Sequence, residues 1–495
     1  MPGLRTKSIT GYCDPLSARP GQRVEFKVCC YEDGDYDAEL VRLIGGDDTP
    51  GGIGVIERVV VAPFCKTHPG RFQAIQPGSY GTVPGVEGLD SFTLQAVIYP
   101  TLPGGRSQVI MGQGTGLALF LDDSGALAVG IAGHVISTAV PVRRHQWLFA
   151  AASYDGATGE VRLIQRPLAN SPGDRLISPE VRRSETIRPG LMAVEGPASF
   201  TFAAGDGQYF NGKIDRPRLA GRVLSDGEMT QLAGPAVPDG LSDHVLGCWD
   251  FGLDISSDRI TDLSSHGRHG HVVNLPTRGV TGHNWDGSVH DWRGAPEQYG
   301  AIHFHSDDLY DAGWETDFSF VIPDDLPSGV YAARLRHGVD VDRIPFFVLP
   351  AKGTVTADVA FLVPTASYMA YANTRQRLRA NIIFGDGRPE WVNDGHLAKH
   401  AEIGGSLYDL HEDRSGIHYS SRLRPVMNMK PGDNRPWGFP ADMNIVAWLD
   451  RMDQPFDVIT DEDLHREGAE LLRPYGCILT GSHPEYHSTA MLDGI

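Results

Sequence analysis

ADVAFLVPT, residues 357–365, holds an unbroken apolar run that stops at a Pro-Thr pair. A run with no polar alternation suits a strand covered on both faces, as in a parallel sheet. The chain beyond it keeps the same grammar. FPADMNIVAWLDRMD, 439–453, spaces Phe439, Met443, Val446, Ala447 and Met452 as one helix face. FDVITDEDLHREGAELL, 456–472, passes from strand to an acidic helix start, and YGCILTG, 475–481, is another buried strand before SHPEYHSTAML, 482–492, opens a helix. Cys477, inside that strand, is expected to be a small buried hydrophobe. This β-α-β-α alternation predicts a doubly wound α/β domain over 353–495, C-terminally incomplete at Ile495.

Upstream the period changes. RVEFKVCCYE, 23–32, alternates, and IGVIERVVVAPF, 53–64, reads as further strand. QAIQPGSYGTVPGVEGLD, 73–90, is a Gly/Pro-rich boundary. Residues 90–275 then carry short strands at near-regular spacing, with Asp-Gly, Asn-Gly and Asp-Asp-Ser-Gly turns of the hairpin type. The fold expected there is a concanavalin-like or laminin-G-like jelly roll, which SFTLQAVIYP, HQWLFAAASYDG and FNGKIDRPRLAGRVLSDGEM resemble. Residues 299–352 are β again, and LPSGVYAARL, 326–335, looks like the edge of an immunoglobulin-like sandwich. The expected organisation is a discontinuous N-terminal β-sandwich (1–89 with 299–352), an inserted jelly roll (90–275), a linker (276–298) and the α/β domain.

The bulk numbers narrow the function. The chain has 495 residues and a formal net charge of −19. That excess of acid argues against nucleic acid or an anionic membrane as the main partner. No run of about 18 apolar residues is present to span a bilayer, and the start lacks a secretory apolar region. Six cysteines over this length do not suggest a disulfide framework. The cytoplasm is the expected location.

Ligands of open α/β sheets sit beyond the carboxyl ends of the strands. After VAFLV comes PTASYMAYAN with Tyr368 and Tyr371; after CILTG comes SHPEYHS with His483, Glu485, Tyr486 and His487. Between them, residues 400–425 are Gly-rich and dense in His, Asp, Glu and Tyr, as functional loops often are. Residue type alone leaves two readings, a hydrogen-bonded polar network or a metal site. Carboxylate and phenolate oxygens suit a hard cation such as Fe(III). TGSHP does not match the nucleophile elbow G-x-S-x-G around Ser482. The histidines of SSHGRHGHVV, 264–273, read as a polar edge loop, and Asp122 and Asp123 as turn residues or Ca²⁺ ligands.

FLVPTASYMAYAN, SLYDLHEDRSGIHYSSRLRP, FPADMNIVAWLD, FDVITDEDLHREGAELLRPY and LTGSHPEYHS together resemble the large (β) subunit family of N,N-dimethylformamidase. That resemblance implies an amidotransferase-like α/β domain and hydrolysis of a small N-alkyl formamide or amide to amine and carboxylate. It implies a mononuclear iron, Fe³⁺, held by Glu485, by Tyr408 and by one of Tyr368 and Tyr371, with His483 beside it as a catalytic group. It also implies a small helical α subunit and assembly as (αβ)₂ units. Met369, Trp391 and Phe439 are candidates for the apolar walls that a dialkyl amide needs. The alternative is a carbohydrate-binding or scaffold protein whose amidotransferase-like domain has no chemistry.

Overall fold

RVEFKVCC forms a strand, Arg23–Cys30, that turns Val24, Phe26 and Val28 into a core and leaves Arg23 in solvent. In this computed structural model, residues 6–168, 178–191, 198–376, 391–432 and 437–495 are described. The described residues are mostly β, 38% strand against 13% helix. It divides into two units, one of residues 1–76, 309–410 and 416–495, the other of 77–308 and 411–415.

In the first unit, antiparallel sheets join the two ends of the discontinuous segment. Arg23–Cys30 pairs with Ile9–Asp14 and with Phe318–Val321. Gly329–His337 pairs with Asp340–Val348 and with Tyr36–Asp47. The same unit holds a three-stranded parallel sheet. Val359–Val363 is its centre, flanked by Asp457–Thr460 and Cys477–Thr480. The apolar run at 359–363 is buried from Ala360 to Val363, as a central strand should be.

The helix Phe439–Arg451 buries Phe439, Met443, Val446 and Ala447 on one face. Met452, expected on that face, is exposed because it is the C-cap residue. Cys477 also departs from expectation. Its strand lies at the edge of the sheet and Cys477 is exposed, not a core residue.

The second unit is a sixteen-stranded antiparallel sheet system. Its core gathers Phe92, Leu119, Val129, Phe200, Phe202 and Trp249, all almost fully buried. Asp122 caps the Leu117–Leu121/Ala126–Ile131 hairpin: Oδ1 accepts from Ser124 N–H and O–H and from Ala126 N–H, while Oδ2 accepts from Ser137. Gly125, at φ 86°, takes the left-handed turn position. Turn chemistry therefore accounts for Asp122. Among the described residues, no helix is long and apolar enough to cross a membrane.

Candidate functional site

Parallel pairing brings the carboxyl ends of Val359–Val363 and Cys477–Thr480 side by side. The first strand runs through Pro364 into a helix, Thr365–Ala370. The second runs into the loop 481–488. Asp442, in the first turn of Phe439–Arg451, ties these two exits together. Its Oδ2 accepts from the Tyr368 hydroxyl at 2.5 Å and its Oδ1 from Ser482 N–H at 2.5 Å. Glu485 N–H donates to Ser367 Oγ at 2.9 Å. Gly481 makes the approach possible: a Cβ there would lie 2.5 Å from Asp442 Oδ2 and 2.5 Å from Pro364 Cγ.

A third segment supplies Tyr408. Leu407 N–H donates to Ala370 O, and Asp409 Oδ2 accepts from Ser406 N–H and O–H, fixing the 405–409 turn. Buried Arg424 donates to the carbonyls of Ile403, Gly405 and Ser421. Burial pushes its guanidinium pKa down to about 10, so these carbonyls hold a cation taken out of water.

Four predicted site residues converge at these loops. Tyr371 Oη lies 2.6 Å from Glu485 Oε2 and 2.9 Å from Tyr408 Oη. His483 Nε2 lies 2.8 Å from Glu485 Oε2 and 3.5 Å from Tyr371 Oη. The Tyr371 and Tyr408 rings stack at 4.5 Å with 6° between planes. A phenol has one proton, and the carboxylate is the stronger acceptor for that of Tyr371. Burial, and then the hydrogen bond to Glu485, push the Tyr371 phenol well above its usual range. The same hydrogen bond, followed by that from His483, holds the Glu485 carboxyl below its ordinary value.

Tyr368 is not part of this cluster. It is buried, its hydroxyl is committed to Asp442, and burial raises its phenol far above the usual range. Tyr486, named at this strand end but not as a ligand or catalytic residue, belongs to the cluster: its hydroxyl meets that of Tyr408. Its place directly after Glu485 was the available signal. Trp437 was also missed, and it packs edge-on against Tyr371 at 4.3 Å. The cavity beside the cluster is lined by Tyr371, Met429, Trp437, Phe439, Asp442 and His483. Of the three proposed wall residues only Phe439 faces it. Met369 lines a cavity with Asp461 and Met491, and Trp391 one with Val341 and Lys430.

The donor set suits a hard cation. Oxygens held about 2.0–2.1 Å from one ion in octahedral array sit about 2.9 Å apart. The Tyr371–Tyr408 and Tyr371–Glu485 separations are near that value. The cluster is also open, with Tyr408 37% exposed.

Two other groups of side chains could hold an ion, both in the second unit: His303, His305 and Asp413, and His305, Asp308 and His411. Among the described residues, no such group includes the 264–273 histidines. His303 and His305 were legible only as strand residues of YGAIHFH. Burial pushes the His303 imidazole down to about 4, so it presents a neutral ring.

Residues 277–495 match the family described as N,N-dimethylformamidase beta subunit-like, C-terminal. The N,N-dimethylformamidase beta subunit of Paracoccus aminophilus is 37% identical over 99% of this chain and 69% of its own length. The N,N-dimethylformamidase beta subunit of an Alcaligenes species is 36% identical over the same shares of the two chains. A heptameric SAP-like pentraxin from Limulus polyphemus aligns with 40% of this chain and 82% of its own at 12% identity, with a TM-score of 0.23, too low to bear on the fold.

Proposed function

Because the chain belongs to the N,N-dimethylformamidase beta subunit family, we propose that it hydrolyses N,N-dimethylformamide or a related small N-alkyl amide to amine and carboxylate. The observation that carries the site is the meeting of Tyr371, Tyr408, Glu485 and His483 at the ends of two parallel strands. Tyr371, Tyr408 and Glu485 would hold a mononuclear iron, Fe³⁺. When bound, it would supply Lewis-acid polarisation of the amide carbonyl and acidify a water.

The chain's own residues do the rest. Glu485 accepts a hydrogen bond from His483, which orients that imidazole over the cluster. With Nε2–H donating to Glu485, the ring's lone pair is on His483 Nδ1, which would take a proton from the attacking water and return it to the departing amine nitrogen. A dialkyl amide has no N–H to donate, so its substituents need apolar surface. Trp437, Phe439 and Met429 offer that surface beside His483. Asp442, by holding both strand exits, keeps the segments that carry Tyr371 and Glu485 in register.

In the same reading the chain combines an immunoglobulin-like sandwich (1–89 with 299–352) with an amidotransferase-like α/β domain (353–495). The jelly roll (90–275) is inserted with its linker (276–298). The relatives' names as beta subunits support an α-subunit partner; the reading makes that partner small and helical, assembled as (αβ)₂. Six free thiols support a reducing, cytoplasmic location.

The test is metal content, visible spectrum and dimethylformamide turnover on one preparation. Stoichiometric iron with a phenolate charge-transfer band, both lost in Tyr371→Phe and Glu485→Gln, is expected. An active enzyme free of iron, or unchanged iron in both variants, rejects the site.

A further inference from the structure

The buried histidines of the second unit have no part in the proposed chemistry, and their arrangement is unusual. His303 and His305 lie on and just after the strand Ala301–Phe304, and Asp413 lies on the 411–415 segment. All three are more than nine-tenths buried. His303 Nε2 and Asp413 Oδ2 are 3.3 Å apart, yet each is a buried atom without a hydrogen-bond partner. His305 Nε2 is 3.7 Å from the same Asp413 oxygen.

Polar atoms withdrawn from water without partners cost about 1–3 kcal/mol each. Native structures rarely keep two of them face to face. The tautomer of His305 sharpens the point. Its Nδ1 lies 3.2 Å from Asp308 Oδ2, a carboxylate oxygen that also accepts from Ser79 Oγ at 2.6 Å. A carboxylate can only accept, so Nδ1 carries the proton and Nε2 presents a lone pair, 2.9 Å from Ser415 Oγ and 3.7 Å from Asp413 Oδ2. Two imidazole nitrogens and a carboxylate oxygen thus converge on one enclosed point.

We propose that His303, His305 and Asp413 bind one zinc-class divalent ion, which clamps the Ala301–Phe304 strand to the 411–415 segment. Donors about 2.0–2.1 Å from a tetrahedral ion are about 3.3 Å apart, against about 2.9 Å for adjacent octahedral positions. The 3.3 and 3.7 Å separations favour the tetrahedral ion. Two imidazoles and a carboxylate are a zinc-type set. The fourth position falls to a water or to Ser415 Oγ, which lies 2.9 Å from His305 Nε2. Asp308 behind His305 is the outer carboxylate that metal-bound histidines commonly carry. Stacking of His411 on His305, 3.7 Å between centroids, holds the ring in plane. The other candidate group is less suited. It needs His305 Nδ1 and Asp308, which are already paired, and His411, whose Nδ1 already meets Asp307.

The ion is independent of the tyrosine cluster, and the experiment separates the two. The full chain carrying Tyr371→Phe, Tyr408→Phe and Glu485→Gln is stripped with a chelator, dialysed against Zn²⁺ alone, desalted and analysed by mass spectrometry of its metals. One zinc per chain and a melting temperature raised by several degrees are expected. Co²⁺ in place of zinc should give the strong visible bands of a four-coordinate ion. Adding Asp413→Asn, or His303→Gln should that variant fail to fold, should abolish retention and the thermal shift. Zinc absent from the stripped and reloaded chain overturns the proposal whatever the variants do, and so does zinc retained equally with Asp413→Asn.

Discussion

The tyrosine cluster of the first unit and the histidine cluster of the second are opposite answers to one problem, how to bring several electron-rich atoms together. In the first, oxygens meet at strand ends where Tyr408 is 37% exposed, and protons and water can settle their charge. In the second, two imidazoles and a carboxylate meet where His305 is fully buried and cut off from bulk water. As proposed, exposure would leave coordination positions for a substrate and burial a clamp. A cluster's accessibility, more than its membership, therefore separates a place for chemistry from a place for stability.

The largest expected effect tests that division. Glu485→Gln keeps shape but removes the carboxylate that binds Tyr371 and His483. Turnover of dimethylformamide should fall at least about 10³-fold, the scale of losing a key electrostatic group. Thermal stability should hardly change, because the residue is exposed. Steady-state kinetics and a melting curve on the same sample check it. A melting temperature that collapses with the activity would make the open cluster structural after all.

The next effect concerns a carboxyl buried beside the open site. Asp461 follows the third strand end and accepts from Ala366 N–H. Burial raises its carboxyl pKa to about 7. Between its unfolded value of about 4 and its folded value of about 7, the folded chain binds the extra proton. Stability is therefore full at low pH and falls as pH rises through that window. Asp461→Asn cannot ionise and should be more stable than the parent at about pH 8, by up to about 4 kcal/mol, and equal to it at about pH 4. Urea unfolding at the two pH values measures the difference. Equal stabilities at the higher pH would show that the strand-end region hydrates its charges there as freely as at Glu485.

Gly481 tests how closely the open site is assembled. Gly481→Ala sets a methyl 2.5 Å from both Pro364 Cγ and Asp442 Oδ2. The ring cannot yield cheaply, so a loss of about 1–3 kcal/mol is expected, with a lowered rate. Urea denaturation with parallel kinetics reads both. Unchanged values would mean that the two loops have slack.

The sequence carried the open site better than the buried one, for a physical reason. VAFLV and CILT are short apolar runs, and parallel strands set both exits on one edge, so the loop with Tyr368 and Tyr371 and the loop with Glu485 could be placed at one crevice. Tyr368 and Tyr371 could not be separated, because their positions on one short helix turn decide which faces Asp442 and which faces solvent. Cys477 misled because an apolar run does not say whether its strand is central or at an edge. His303, His305 and Asp413 were illegible as a set. The two histidines lie far from Asp413 in sequence, and only the folded chain joins them.

The smallest expected effect asks where the open cluster ends. Tyr486 touches the Tyr408 hydroxyl, and that hydrogen bond pushes its phenol up to about 12. At neutral pH it is a protonated donor, so it should stabilise an oxygen anion on Tyr408 without being a ligand itself. Tyr486→Phe should then retain iron and lower the rate by less than about tenfold, the range of one hydrogen bond. The charge-transfer band should shift, because Tyr408 loses a donor. Loss of iron in this variant would make Tyr486 a ligand in its own right and leave fewer positions for substrate, which would bring the open cluster closer in kind to the buried one.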